Sequence, residues 1–119
     1  MSIENIKEIK RGKIYFANLD PAIGSEIKKT RPVAVVSNDI NNRYNLTVTI
    51  LPITSNVTKI YPFEVFLAGG TGNLPKDSKV KADQIRTIDK RRLIKEIGEL
   101  SWGDMEKIEY AVKIHLKLQ

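Results

Sequence analysis

Leu46, Val48 and Ile50 alternate with Thr47 and Thr49 along the segment Leu46 to Ile53. A period of two marks a strand with one buried face. Pro52 and the polar Thr54-Ser55-Asn56 are expected to end it. Upstream, Lys13 to Leu19 is rich in aromatic and β-branched residues and predicts a first strand, stopped at Asp20-Pro21. Val33 to Val36 is a continuous apolar run and predicts a core strand. Pro32 cannot donate a ladder hydrogen bond, so it belongs at that strand's first position. Asn38-Asp39-Ile40-Asn41-Asn42 predicts a turn, because short Asx side chains bond their own backbone.

Pro62 to Ala68 predicts a further strand, and Gly69 to Asn73 a flexible hairpin connection. Ser78 to Ala82 predicts the returning strand, with Val80 and Ala82 alternating against Lys79 and Lys81. Asp83 to Ile88 reads as its extension, while Ile94 to Leu100 fits no single period. Isoleucines at 3, 6 and 9 permit a short amphipathic turn over Ser2 to Lys10. The C-terminus, 101–118, predicts a helix. Ser101 is its N-cap and Asp104 its first-turn carboxylate, and Met105, Ile108, Ala111, Val112, His115 and Leu116 form one stripe. Many short strands and one late helix predict a mainly β, α+β fold: a small antiparallel barrel or curled sheet closed by that helix.

The 119 residues are expected to form one domain, 1–119, with 1–10 as an N-terminal extension. Net charge is +6, which favours an anionic partner such as RNA, DNA or an acidic protein without choosing among them. There is no cysteine, which excludes disulfides, thiolate zinc sites and cysteine nucleophiles. No apolar run approaches the roughly 20 residues of a membrane span, and a cytoplasmic protein without membrane contact is expected.

Candidate chemistry narrows quickly. His115 is the only histidine and falls on the apolar stripe of the last helix, so a structural role is expected and no metal site. The Gly69 to Gly72 run lacks the Gly-Lys-Ser/Thr ending of a phosphate loop. Glu26, Lys28, Lys29 and Arg31 crowd the loop before the second strand, and Arg31 stands where loop meets sheet. Function is expected on that rim. Gln84 and Arg86 share a face if their strand continues, and Thr54 and Ser55 sit at a strand end. Tyr15, Phe16 and Tyr44 are candidate stacking surfaces, with core or surface packing the plainer reading for each.

Six segments, in order, resemble the MazF/PemK family of toxin endoribonucleases. They are Arg11-Gly12-Lys13-Ile14-Tyr15, Gly24-Ser25-Glu26, Arg31-Pro32-Val33, Ile53-Thr54-Ser55, Tyr61-Pro62-Phe63-Glu64-Val65 and Asp83-Gln84-Ile85-Arg86-Thr87-Ile88. The resemblance implies an SH3-like barrel of the MazF/Kid/CcdB type, a two-fold homodimer, and a cognate MazE-like antitoxin that blocks the RNA groove. It also implies sequence-specific cleavage of single-stranded mRNA without metal or other cofactor. The family's principal arginine falls on Arg31, its threonine on Thr54 and its loop acid on Glu26. Ser25, Asn38, Ser55, Gln84 and Arg86 fall at or beside RNA-contacting positions.

The chemistry so implied is transesterification, in which the ribose 2′-OH attacks the adjacent phosphate to leave a 2′,3′-cyclic phosphate and a 5′-OH. Arg31 suits the transition state, because its fork of donors matches two phosphate oxygens. A guanidinium hardly deprotonates, so Glu26 is the better general base on chemical grounds. Thr54 is expected to hydrogen-bond a non-bridging oxygen. The rival reading is a non-catalytic, CcdB-like toxin of the same fold that binds a topoisomerase. A third is a general RNA-binding barrel without products.

Overall fold

A computed structural model of the chain describes residues 8–119, so the expected turn over Ser2 to Lys10 lies largely outside the described residues. In chain order the elements are β1 (Lys13–Asn18), β2 (Thr30–Val35), α1 (Asp39–Tyr44), β3 (Thr47–Thr54), β4 (Glu64–Leu67), β5 (Ser78–Lys81), β6 (Arg86–Asp89), β7 (Leu93–Glu99) and α2 (Trp102–Leu116). All strand pairs are antiparallel. The sheet runs β4-β5-β3-β2-β1-β7, with β6 beside β3.

β3 explains the architecture. Its first half pairs with β6, from Thr47↔Asp89 to Ile50↔Arg86, and its last residues pair with β5, Ile53↔Val80 and Thr54↔Lys79. One strand thus serves two sub-sheets. The expected stop at Pro52 is overturned, since β3 continues through it to Thr54. The physical reason is local: Pro52 sits where β6 has ended and β5 has not begun, so a missing N–H is tolerated there.

Two apolar clusters follow from this division. Tyr15, Ala17, Leu19, Val33, Val35, Val48, Ile50, Ile88 and Leu93 form one, around which β1, β2, the first half of β3, β6 and β7 curl. Tyr15 belongs to it with no exposure, and burial pushes its hydroxyl pKa up to about 12, so it packs rather than stacks on a ligand. The other cluster joins Ile14, Ala34, Leu51 and Ile53 to β4, β5 and the α2 residues Ile108 and Ala111. The expected curled sheet closed by a helix is the fold observed.

Several local expectations change. Asn38 to Asn42 is not a turn but the start of α1. The Asn38 side chain accepts from Asn41 N at 2.8 Å, the Asx bond that can close a turn serving here as a helix cap. Leu46 is 79% exposed and stands outside β3. Lys79 is buried instead of facing solvent. A 3-10 turn at Ala82–Gln84 breaks the expected extension of β5, and β6 is a separate strand. The ambiguous segment Ile94 to Leu100 falls almost wholly in β7, Leu93–Glu99, a strand against β1.

In α2 Ser101 accepts from Asp104 N at 3.1 Å, and Lys117 closes the C-terminus at φ 56. His115 is exposed, its ring 5.8 Å from that of Phe63, and not part of the buried stripe. Among the described residues no helix is long and apolar enough to cross a membrane.

Candidate functional site

The β2–β3 ladder pairs Val35↔Ile50, Ala34↔Leu51 and Val33↔Pro52. The ladder ends at Val33↔Pro52, two residues short of both Arg31, near the start of β2, and Thr54, the last residue of β3. The period of two puts Arg31 on the face of Val33 and Val35, and Thr54 on the face of Ile50. These three apolar residues belong to the curled cluster, so the guanidinium and the hydroxyl stand at its rim. Arg31 is anchored on its other side by Ala17 of β1. Its Nε donates to Lys28 O at 3.2 Å, and among the described residues its terminal nitrogens carry no hydrogen bond to protein. The Thr54 hydroxyl accepts from Asn56 N at 3.2 Å.

The loop between β1 and β2 lies on this rim and is held at its neck. Leu19 N donates to Lys29 O at 2.9 Å, and Lys29 N to the Asp20 carboxylate at 2.8 Å. Gly24 (φ 57) and Lys29 (φ 66) take left-handed conformations that let so short a loop reverse. Three side chains from elsewhere grip it. Arg92 donates to Asn18 O at 3.0 Å and to Asp20 O. Arg86 donates to Leu19 O at 3.3 Å. The Gln84 amide oxygen accepts from Ile27 N at 3.2 Å, and its nitrogen reaches Ser25 O at 3.5 Å. Glu26 is exposed at the loop tip. Its backbone N–H donates to Ile23 O at 3.1 Å, and its carboxylate accepts from Ile23 N at 2.7 Å.

Of the residues singled out in the sequence, Ser25, Glu26, Gln84 and Arg86 belong to or grip the β1–β2 loop that leads into Arg31, and Thr54 and Ser55 lie at the end of the neighbouring β3. The Arg86 backbone itself pairs with Ile50, opposite Val35. Asn38 stands apart. It follows the far end of β2, roughly 20 Å of extended chain from Arg31 at about 3.3 Å per residue. There it caps α1 and borders a cavity with Arg11, Ser37, Thr49 and Glu109. Phe16 is half-buried beneath Lys95, whose Nζ is 5.6 Å from the ring centre, and Tyr44 is exposed with Arg43 over it.

Arg92 and Lys79 escaped the sequence reading. Arg92 sits in the run Lys90-Arg91-Arg92, indistinguishable by composition from a solvated charge cluster. Lys79 hides in an alternation that placed it outward. Its Nζ donates to Glu64 at 3.0 Å and to Lys59 O at 2.7 Å, while Lys81 donates to the same carboxylate at 2.8 Å. Burial alone would raise the pKa of Glu64. Hydrogen bonds from Lys81, Tyr61 N and Lys79 outweigh it and hold the carboxyl below its ordinary value. Among the described residues no group of three or more His, Cys, Asp or Glu side chains is placed to hold a metal ion.

Arginine donors such as the terminal nitrogens of Arg31, which carry no hydrogen bond to the described residues, can bind a phosphodiester and stabilise charge on it. Comparison with known proteins agrees in kind. Residues 10–116 match the model of the PemK-like, MazF-like toxin of type II toxin-antitoxin system. Endoribonuclease MazF9 of Mycobacterium tuberculosis is 42% identical over 118 residues, covering 92% of this chain and 98% of that protein. Endoribonuclease EndoA of Bacillus subtilis is 40% identical over 111 residues, covering 92% and 96%. Among solved structures, MazF from Deinococcus radiodurans superposes with a TM-score of 0.80 at 26% identity, covering 93% of this chain and 98% of that one. An endoribonuclease in complex with its cognate antitoxin, from a mycobacterial species, gives a TM-score of 0.75 at 26% identity, covering 95% and 97%. With its sheet order, its closing helix and nearly its whole length matched, the chain belongs to the PemK-like, MazF-like toxin family of type II toxin–antitoxin systems.

Proposed function

We propose that this protein is the toxin of such a pair and an endoribonuclease that cuts single-stranded RNA using the RNA's own 2′-OH as nucleophile. What supports the reading is that β2 and β3, the strands carrying Arg31 and Thr54, are paired neighbours, in a chain whose sequence relatives are named endoribonucleases. That match also disfavours a non-catalytic toxin binding a topoisomerase.

An internal nucleophile needs no bound water and no metal. The reaction requires removal of the 2′-OH proton, stabilisation of the charge that builds on the phosphorane-like transition state, and a proton for the departing 5′-oxygen. Arg31 carries the middle task through its terminal nitrogens, with the Thr54 hydroxyl on a non-bridging oxygen. Glu26 takes the 2′-OH proton once RNA displaces its bond to Ile23 N. The Arg31 guanidinium then donates to the leaving oxygen. Ser25, Ser55, Gln84 and Arg86 flank these groups, and Asn38 meets an RNA long enough to run the length of β2. In the cell the protein works as a cytoplasmic homodimer restrained by a cognate antitoxin, in keeping with the toxin–antitoxin complex it resembles.

An end-labelled single-stranded transcript incubated with the protein in EDTA tests the proposal. Discrete fragments ending in a 2′,3′-cyclic phosphate are expected, and Arg31→Ala should abolish them while leaving a folded protein. Salt-dependent binding without products, or wild-type cutting by Arg31→Ala, would overturn it.

A further inference from the structure

Among the described residues Lys79 and Glu64 are the buried charged side chains, and the proposed chemistry uses neither. The Lys79 backbone pairs with Thr54 in the β3–β5 ladder. Its side chain reaches the middle of the β3–β4 loop, where Nζ donates to Lys59 O at 2.7 Å. Within that loop a chain of short bonds runs back toward the strand end. Thr58 N and Oγ1 donate to Asn56 Oδ1 at 3.3 and 3.0 Å, and Asn56 N donates to Thr54 Oγ1 at 3.2 Å. Lys79 therefore grips both ends of the segment on which the Thr54 hydroxyl depends.

The grip itself is anchored. The Glu64 side chain has no exposure and takes three donors, Lys79 Nζ at 3.0 Å, Lys81 Nζ at 2.8 Å and Tyr61 N at 2.9 Å. The Tyr61 ring stacks on Phe63 at 5.5 Å, with Lys59 Nζ 4.9 Å and Lys79 Nζ 6.0 Å from its centre. A lysine side chain left to solvent samples many rotamers, whereas one held by a buried carboxylate and an aromatic face presents its ammonium at one place. Burying such a charge is costly unless its geometry does something in return.

We propose that Lys79, oriented by Glu64, is a positioning residue for Thr54: it fixes the Ser55–Lys59 segment and so the direction of the Thr54 hydroxyl. The inference rests on the RNA-cleaving reading above. A hydroxyl misplaced by about 1 Å at a reacting phosphate costs up to about a hundredfold in rate, so a partial loosening should cost about tenfold.

Single-turnover cleavage of a long transcript by Lys79→Met, which keeps the stem and removes the donor, tests it in two backgrounds. The rate should fall about tenfold in the otherwise wild-type protein, with half-saturating protein concentration unchanged, and less than twofold when Thr54 is already Val. Asn56→Ala breaks the same chain in an exposed loop without touching the buried charges and should show the same coupled loss, which covers the case in which Lys79→Met fails to fold. An equal fall in both backgrounds for the variants that fold, or no fall at all, would overturn the positioning role. A wild-type protein that makes no fragments would overturn the nuclease reading instead.

Discussion

Gln84 and Ile27 stand 57 positions apart, yet the Gln84 side-chain oxygen accepts the Ile27 N–H at 3.2 Å. Ile27 also packs against the curled apolar cluster, so one residue ties the β1–β2 loop to both the core and the turn after β5. The family resemblance implies an RNA contact at Gln84. Its amide is engaged by the loop backbone, which gives it work whether or not RNA is bound.

Gln84→Ala should therefore loosen the loop more than the fold. Hydrogen exchange of the Ser25 to Lys29 amides is expected to speed up about tenfold, with global stability lowered by about 1 kcal/mol for one neutral hydrogen bond. Gln84→Glu keeps an acceptor for Ile27 N and should leave the Ile27 amide nearly as protected. Unchanged exchange in the alanine variant would show that the grip belongs to Arg86 and Arg92 alone.

The Glu26 carboxylate accepts from Ile23 N at 2.7 Å, and glutamine can keep that bond while losing basicity. Glu26→Gln thus separates loop geometry from proton transfer. A single-turnover cleavage rate reduced about a hundredfold is expected for the loss of a general base. A rate equal to wild type would remove Glu26 from the chemistry and leave it a loop-closing residue.

How much of this was legible in the chain depended on the range of the physics. Alternation read Val48 and Ile50 as buried, and both are, because a period of two needs only the strand itself. The same rule misplaced Lys79, whose burial depends on Glu64, a residue 15 positions away on another strand. Pro52 misled for a related reason: a missing donor ends a strand only where a partner is waiting, and β3 changes partners there. That Arg31 and Thr54 lie on neighbouring strands could not come from spacing. It follows from the β2–β3 pairing, and only the resemblance named both residues beforehand. Arg92 had no signal at all, since its value lies in two carbonyls more than 70 positions away.

The Glu64 cluster gives a pH signature. Its carboxyl is held below the ordinary 4.5, so its stabilising contribution is present above that value and is lost as pH falls through the lower folded value. Burial would lower the Lys81 ammonium pKa, but hydrogen bonding to Glu64 and the charges of Asp83 and Glu64 raise it above 10.5. Its contribution is present below 10.5 and is lost as pH rises through the higher folded value. Glu64→Gln should cost roughly 3 kcal/mol between about pH 5 and pH 10, as expected when one partner of a buried pair is removed, and less on either side. Urea unfolding across that range measures it, and a difference independent of pH would show that the ions contribute only shape.

The glycine-rich connection between β4 and β5 makes the last prediction, because it packs on β7 and does not swing free. Asn73 Nδ2 donates to Ile97 O at 3.0 Å, and the Gly72 backbone lies directly against Gly98. A Cβ built at Gly98 would fall 2.6 Å from the Gly72 carbonyl carbon, a distance at which backbone must move. Gly72 cannot easily retreat, since it stands at φ 56 with Ile14 Cδ1 2.5 Å from where its own Cβ would be. Gly98→Ala should therefore cost about 3 kcal/mol by overpacking and lower Tm by more than about 10 °C for a domain this size. The Gly70→Ala substitution meets nothing within 4 Å and is strained only by its φ of 94, so it should cost about 1 kcal/mol. Calorimetry on the two variants separates close packing from backbone conformation, and equal losses would mean that the β7 contact is not what holds the connection down.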